Sequence, residues 1–262
     1  MRFNTRLFFV LWIAGVIGVV SFLLVDLNAL LKSLPIPPET EVPEFTFTLK
    51  LLSLMQPCVL VAIATFVGVL LAPKVGLSAP LAEAIANGGE RLSALRPQII
   101  PGIIGGLVGG VAIILAGIAA RQVLPTDVTQ RISQFGQFLP LPTRVLYGGL
   151  TEELLLRWGV MTFLVWAGWR ILQKGEGSPK TTVLIFAILA SSLIFAIGHL
   201  PIAYLLFPDH TPTLTMFVII GNSVFGLVAG YLYWKKGLES AIIAHGFTHL
   251  ILFSASYFGA YF

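Results

Sequence analysis

The chain has 262 residues, 56% of them hydrophobic and 11% charged, with a net charge of +4. Soluble domains carry roughly 25% charged residues, so this composition and a mean hydropathy of +0.91 exclude an ordinary soluble domain. The basic residues are scattered among short loops, which argues against a nucleic-acid partner, and the lone Cys58 excludes an internal disulfide.

A helix needs about 20 apolar residues to cross the hydrocarbon of a bilayer. That criterion predicts an all-α, polytopic integral membrane bundle of about seven transmembrane helices: 7–25, 51–72, 99–120, 143–169, 182–206, 214–234 and 239–262. An eighth follows if one further segment enters the bilayer. The first span follows a basic start (Arg2, Arg6). It is too long for a signal-peptide core and lacks a small-residue cleavage site after it, so it reads as an uncleaved span. The second holds Pro57, a kink signal, and also Cys58, which reads as a packed thiol. The third carries Gly102, Gly106 and Gly110 at four-residue spacing, and the sixth repeats the device with Gly226 and Gly230. Small residues at that interval let helix backbones approach closely.

Between spans, 33–45 is proline-rich and acidic (Pro35, Pro37, Pro38, Glu39, Glu41, Pro43, Glu44) and reads as an irregular external loop. The 73–98 stretch predicts a short interfacial helix starting near Ser78 and Pro80 and ending at Gly88-Gly89. If seven spans alternate, the basic segments at the N-terminus, 73–98, 170–181 and Lys235/Lys236 share one side, which predicts a cytoplasmic N-terminus. The whole of 1–262 reads as one membrane domain, in which 1–142 carries no motif and 143–262 carries the polar residues that stand out.

Those residues begin with Thr151-Glu152-Glu153-Leu-Leu-Leu-Arg157 in the fourth span. Ionised groups at membrane depth cost at least about 2.5 kcal/mol each, so they mark functional sites. Residues four apart share a helix face, so Glu153 and Arg157 pair, while Glu152 points elsewhere and keeps a carboxylate for water or substrate. The other reading is a buried ion cluster that only locks helix packing. Phe195-Ala-Ile-Gly-His199 sets a ring and an imidazole on one face, and His245-Gly-Phe-Thr-His249 does the same with two imidazoles. Two histidines at that spacing suit a metal, yet Gly246 stands where the zinc-protease HExxH signature needs glutamate. His210, in a Pro-Asp-His-Thr-Pro loop, reads as solvated.

Glu-Glu-x-x-x-Arg, Phe-x-x-x-His and a final His-x-x-x motif, in order within apolar spans, resemble the CAAX protease and bacteriocin-processing (CPBP) family of intramembrane endopeptidases, which includes the type II CAAX prenyl endopeptidase. The resemblance covers roughly 145–252. It implies Glu152 as general base, His199 sharing the activation of water, and His245 as an oxyanion donor. Glu153 and Arg157 become the supporting ion pair, and Phe195 packs beside the water site. His249 departs from the pattern, which most often has asparagine there; neutral imidazole also offers one N–H, so a hole built from His245 and His249 remains workable.

The implied function is hydrolysis of a peptide bond in a membrane-associated substrate, prenylated or a peptide precursor, in the lipid bilayer of a bacterial plasma membrane. No cofactor is implied. The alternative is a zinc metalloprotease using Glu152, His199, His245 and His249, all ligand types that zinc accepts. A non-catalytic scaffold or immunity protein and a proton-coupled transporter are the remaining readings. Substrate identity and oligomeric state are left open. One geometric conflict stands out: at 1.5 Å per residue, Glu152 and His199 fall about 25 Å from the basic side, and His245 only about 10 Å. Either the span ends are misjudged or the last helix begins inside the protein.

Overall fold

Asn4 opens the first helix by accepting a hydrogen bond from the Leu7 amide at 3.1 Å, a side-chain N-cap. From there the computed structural model, which describes residues 3–35, 44–208 and 211–259, is helical in every element it contains. Six helices are long and apolar enough to cross a membrane: Thr5–Leu24, Phe47–Lys74, Arg91–Ala120, Thr181–Leu206, Pro212–Lys236 and Leu238–Tyr257. Each overlaps a span expected from hydropathy, and the chain is a multi-pass membrane bundle.

The remaining expected span, 143–169, the fourth in chain order, is helical but wound differently. α8 (Leu141–Thr143) runs into π-helical stretches at Arg144–Glu152 and Leu154–Met161 before ordinary winding returns in α9 (Thr162–Leu172). Its charged residues and its π winding set it apart from the six apolar spans. π turns are rare and cluster at functional sites.

Elsewhere the boundaries move for identifiable reasons. The second span breaks at Leu54 between α3 (Phe47–Ser53) and α4 (Met55–Leu71). Pro57 has no N–H for the Ser53 carbonyl one turn back. α6 (Arg91–Ala120) starts eight residues before the expected 99 and runs through Pro97 and Pro101. A turn at His199 divides α10 (Thr181–Gly198) from α11 (Leu200–Leu206). Two short helices were not expected, α2 (Leu27–Ser33) and α7 (Thr126–Gln137). Of the proline-rich loop, residues 36–43 lie outside the described residues.

The glycine spacing acts as expected. α6 lies against α13 (Leu238–Tyr257), with Gly102, Gly106 and Gly110 facing Ile243, Phe247 and Ile251 in step. A Cβ at Gly106 would sit 2.7 Å from the Ala244 carbonyl oxygen. The close approach lets Thr248 Oγ1 donate to Gly106 O at 3.1 Å. Gly226 and Gly230 of α12 (Pro212–Lys236) face Ser192 and Ile188 of α10 in the same way. The fourth span sits at the centre: Leu154, Trp158, Met161 and Val165 are fully buried, while Ile13, Phe66, Ile104 and Phe186 face outward. Outward apolar residues are the lipid-contacting surface of such a bundle.

The basic segments gather at one end. Asn4 donates to Asn87 at the close of α5 (Pro80–Asn87), Leu238 N donates to Ser78 O, and α9 packs against the 72–74 turn. α5 matches expectation, with Pro80 in its first turn and Gly88 left-handed at φ +75°. The turn into α13 resolves the depth conflict. Gly237 has φ +116°, a conformation that favours glycine. Gly237, Leu238, Glu239 and Ser240 are all buried. Glu239 accepts from the Ala82 amide at 2.9 Å and Gln98 accepts from the Ser240 amide at 3.1 Å. The last helix therefore starts inside the protein, beneath α5, and carries its histidines deeper than the sequence reckoning allowed.

Candidate active site

The fourth span delivers the acidic residues to the middle of the bundle because α1 (Thr5–Val20) clamps it there. Thr151 Oγ1 donates to Gly15 O and Thr143 Oγ1 to Ser21 O, each at 2.8 Å. Glu152 and Glu153 are adjacent yet live in different surroundings. Glu153 is fully buried, with Arg157 Nε at 3.3 Å from one oxygen, the pairing expected from their spacing. Its other oxygen accepts from His245 Nδ1 at 2.8 Å, which sequence spacing did not reveal. Arg157, also fully buried, donates to Gly226 O at 3.3 Å and stacks over the Phe195 ring at 5.3 Å. One carboxylate thus ties the fourth span to α13 and, through Arg157, to α10 and α12.

Glu152 keeps about a fifth of its side chain exposed. Its carboxylate stands 3.7 Å from His245 Nε2, too long for a direct hydrogen bond and suited to a bridging water. His199, at the turn after α10, donates Nδ1–H to Phe195 O at 2.8 Å. A carbonyl only accepts, so neutral His199 carries its free lone pair on Nε2. His245 is bound at Nδ1 by a carboxylate, so its neutral form also leaves Nε2 bare; it donates from Nε2 only when doubly protonated.

His245 and His249 stack, ring centroids 5.0 Å apart and planes 16° from parallel, and Phe225 closes on His245 at 4.3 Å. The missing side chain at Gly148 makes the room. A Cβ there would lie 2.6 Å from His249 Nε2 and 3.1 Å from His245 Nε2. Both Nε2 atoms therefore converge on the gap beside the π-wound backbone.

All four expected residues, Glu152, His199, His245 and His249, line one cavity of about 580 Å³, with Phe195 in its wall. Glu153 and Arg157 stand behind it. The rest of the lining is mainly apolar and includes Phe22, Leu30, Ile113, Phe135 and Phe217. Phe22 and Leu30 follow the first crossing, so the cavity lies toward the end of the bundle away from the basic segments. Asn222 of α12, Tyr147 and Arg144 also reach this cavity and were not singled out from sequence. Asn222 sits in the Gly221-Asn-Ser stretch, whose break in an apolar run was the available signal. His210 lies outside the described residues.

The zinc alternative would draw on Glu152, His199, His245 and His249, which line this one cavity. Among the described residues no three His, Cys, Asp or Glu side chains gather as a metal group. His245 Nδ1 is committed to Glu153, which leaves its Nε2 as the nitrogen that could face a metal.

A family model described as Type II CAAX prenyl endopeptidase Rce1-like matches residues 134–251. This range nearly coincides with the stretch that carries the motif resemblance, and bears that resemblance out. No curated protein and no solved structure matches the chain.

Proposed function

We propose that this chain, whose residues 134–251 match the type II CAAX prenyl endopeptidase Rce1-like family model, is an intramembrane endopeptidase in which Glu152 and His199 activate a water molecule. The substrate is a membrane-associated protein or peptide, prenylated or a precursor, whose apolar part occupies the greasy side of the cavity. The observation that carries the reading is the convergence of one partly exposed carboxylate and three imidazoles on a single apolar cavity, backed by a buried Arg157–Glu153–His245 chain.

In this reading water sits between Glu152, the bare Nε2 of His199 and His245 Nε2. Its oxygen attacks the scissile carbonyl carbon while its proton passes to the Glu152–His245 pair. The proton raises His245 to its doubly protonated form, held at Nδ1 by Glu153, so that Nε2–H faces the developing oxyanion. His249, in the tautomer with hydrogen on Nε2, supplies the second donor beside Gly148. One oxyanion donor is worth roughly 10²–10³ in turnover. When the tetrahedral intermediate collapses, the carbonyl re-forms, the C–N bond breaks, and the held proton goes to the leaving nitrogen. Arg157 balances Glu153 and keeps its carboxylate aimed at His245. The N-terminus is cytoplasmic in this reading, as the basic segments at that end of the bundle favour.

The test compares membrane-protein fragments from cells expressing the wild-type chain and Glu152→Gln at equal levels. Fragments that appear with the wild type and vanish with the variant are expected. Identical fragment patterns would end the peptidase reading, and fragments lost on chelation in the wild type would favour the zinc alternative.

A further inference from the structure

A second cavity lies at the other end of the bundle from the chemistry, among the basic segments. It holds about 580 Å³ and opens where two membrane spans terminate, at the start of Thr5–Leu24 and the close of Phe47–Lys74. Phe3, Leu7, Val69 and Leu70 form its apolar side, and Phe3 and Leu70 keep 38% and 40% of their surface open on the outside of the bundle. Side chains of the interfacial helix α5 and of the 72–74 turn form its polar rim. A greasy wall below a polar rim at the membrane boundary has the layout of a lipid, acyl chain below and headgroup above.

Two opposite charges line this cavity, Lys74 and Glu83, and among the described residues neither has an ion-pair partner. A lysine alone at this level marks the basic side of a membrane protein. A glutamate alone in the first turn of α5 serves the start of that helix, and Glu83 Oε1 does accept from the Ala79 amide at 2.9 Å. Neither role uses the second Glu83 oxygen or accounts for a cation and an anion kept apart on one cavity.

The amides of the rim have a fixed sense. Asn4 Oδ1 accepts from the Leu7 amide at 3.1 Å, so its Nδ2 is the atom that donates to Asn87 Oδ1, also at 3.1 Å. Asn87, which lines the cavity, therefore keeps both of its own N–H groups unspent. Glu83 and Asn87 stand four residues apart on one face of α5, with about 5–6 Å between Cβ atoms. An acceptor for a cation and a donor for an anion are thus set one turn apart, with the Lys74 ammonium on the same cavity. A phosphate diester calls for N–H donors and a cation, and a primary ammonium calls for a carboxylate. Phosphoethanolamine carries both groups on a short carbon link that bridges one helical turn.

We propose that this cavity binds a phosphatidylethanolamine molecule, with its phosphate on Lys74 and Asn87, its ammonium on Glu83, and an acyl chain along Phe3, Leu7, Val69 and Leu70. Phosphatidylcholine has the same phosphate but no N–H for Glu83. Phosphatidylglycerol brings a net negative charge beside Glu83 with nothing to offset it. The assignment is independent of the peptidase reading.

Native mass spectrometry of the full chain released from detergent micelles gives the dissociation constant of the first bound lipid. The titrants are dioleoyl phosphatidylethanolamine, its N,N-dimethyl form, phosphatidylcholine and phosphatidylglycerol. The wild type is expected to bind phosphatidylethanolamine about tenfold tighter than phosphatidylcholine, the order of one charge-assisted hydrogen bond, with the dimethyl form between them. In Glu83→Gln, whose amide oxygen still accepts from Ala79, that ratio falls to near one. Lys74→Gln weakens both lipids about equally, because both present the same phosphate. Glycerophosphoethanolamine, the headgroup without acyl chains, competes only at concentrations about a hundredfold higher or more, since it buries no apolar surface. Equal affinity across the amine series, or a preference that survives Glu83→Gln, would overturn the inference. Tighter binding of phosphatidylglycerol would also overturn it and make the site one for anionic lipid. Competition by glycerophosphoethanolamine at the lipid's own concentration would overturn it in favour of a soluble phosphate ester. The amine series needs no variant, so it decides the question even where a substitution disturbs folding.

Discussion

Glu152 and Glu153 are neighbours in sequence, and replacing either by glutamine removes one negative charge, yet the two changes have different consequences. Glu153 is fully buried between Arg157 Nε at 3.3 Å and His245 Nδ1 at 2.8 Å. Glu153→Gln leaves Arg157 as a buried cation whose one recorded hydrogen bond is to Gly226 O at 3.3 Å. Breaking a buried ion pair from one side costs about 3–5 kcal/mol. At roughly 2–4 °C per kcal/mol for a chain of this size class, the melting temperature falls by about 10 °C. Glu152 has a partly exposed carboxylate whose nearest ionic partner is 3.7 Å away. Glu152→Gln orphans nothing and costs less than about 1 kcal/mol, though it abolishes turnover. Thermal unfolding of both variants in the same micelles, followed by tryptophan fluorescence, reads the contrast. In a third variant, Glu153→Gln with Arg157→Met, the orphaned cation is gone and at least half of the loss returns, because the two sites are coupled. Equal melting temperatures for the two glutamine variants, or a double variant that loses the sum of its parts, would refute the account of Glu153 as the buried tie.

Gly148→Ala introduces a Cβ 2.6 Å from His249 Nε2 and 3.1 Å from His245 Nε2. Peptide turnover should drop at least about tenfold, the order of one oxyanion donor lost, with little change in melting temperature; undiminished turnover rejects the gap beside Gly148 as the oxyanion position. Gly106→Ala forces α6 away from α13, since its Cβ would meet Phe247 Cβ at 2.6 Å and Ala244 O at 2.7 Å. Overpacking of this kind costs about 1–3 kcal/mol, whereas Gly198→Ala, which meets nothing within 4 Å, serves as the neutral control; identical melting for the two alanine variants contradicts the helix packing described.

Much of the architecture is legible without coordinates, because in lipid each helix must satisfy its own backbone and show about 20 apolar residues. The six apolar spans, the packing role of Gly102, Gly106 and Gly110, and the interfacial helix from Pro80 follow from that constraint and from local backbone chemistry. The Glu153–Arg157 pair is equally local, four residues apart on one turn, and so are the three motifs that mark the family. What sequence spacing could not supply is any relation between helices. Composition is blind to the π winding of Arg144–Glu152 and to the notch at Gly148. The bond from His245 to Glu153 spans 92 positions and depends on α13 starting within the protein, which the buried turn at Gly237 and its ties to Ser78, Ala82 and Gln98 bring about. Arg144, an ordinary loop-end cation to hydropathy, becomes a wall of the cavity only because α7 and α13 close around it. Periodicity reports which face of a helix is greasy; the depth at which that helix sits, and what it meets there, is decided by packing among all of them.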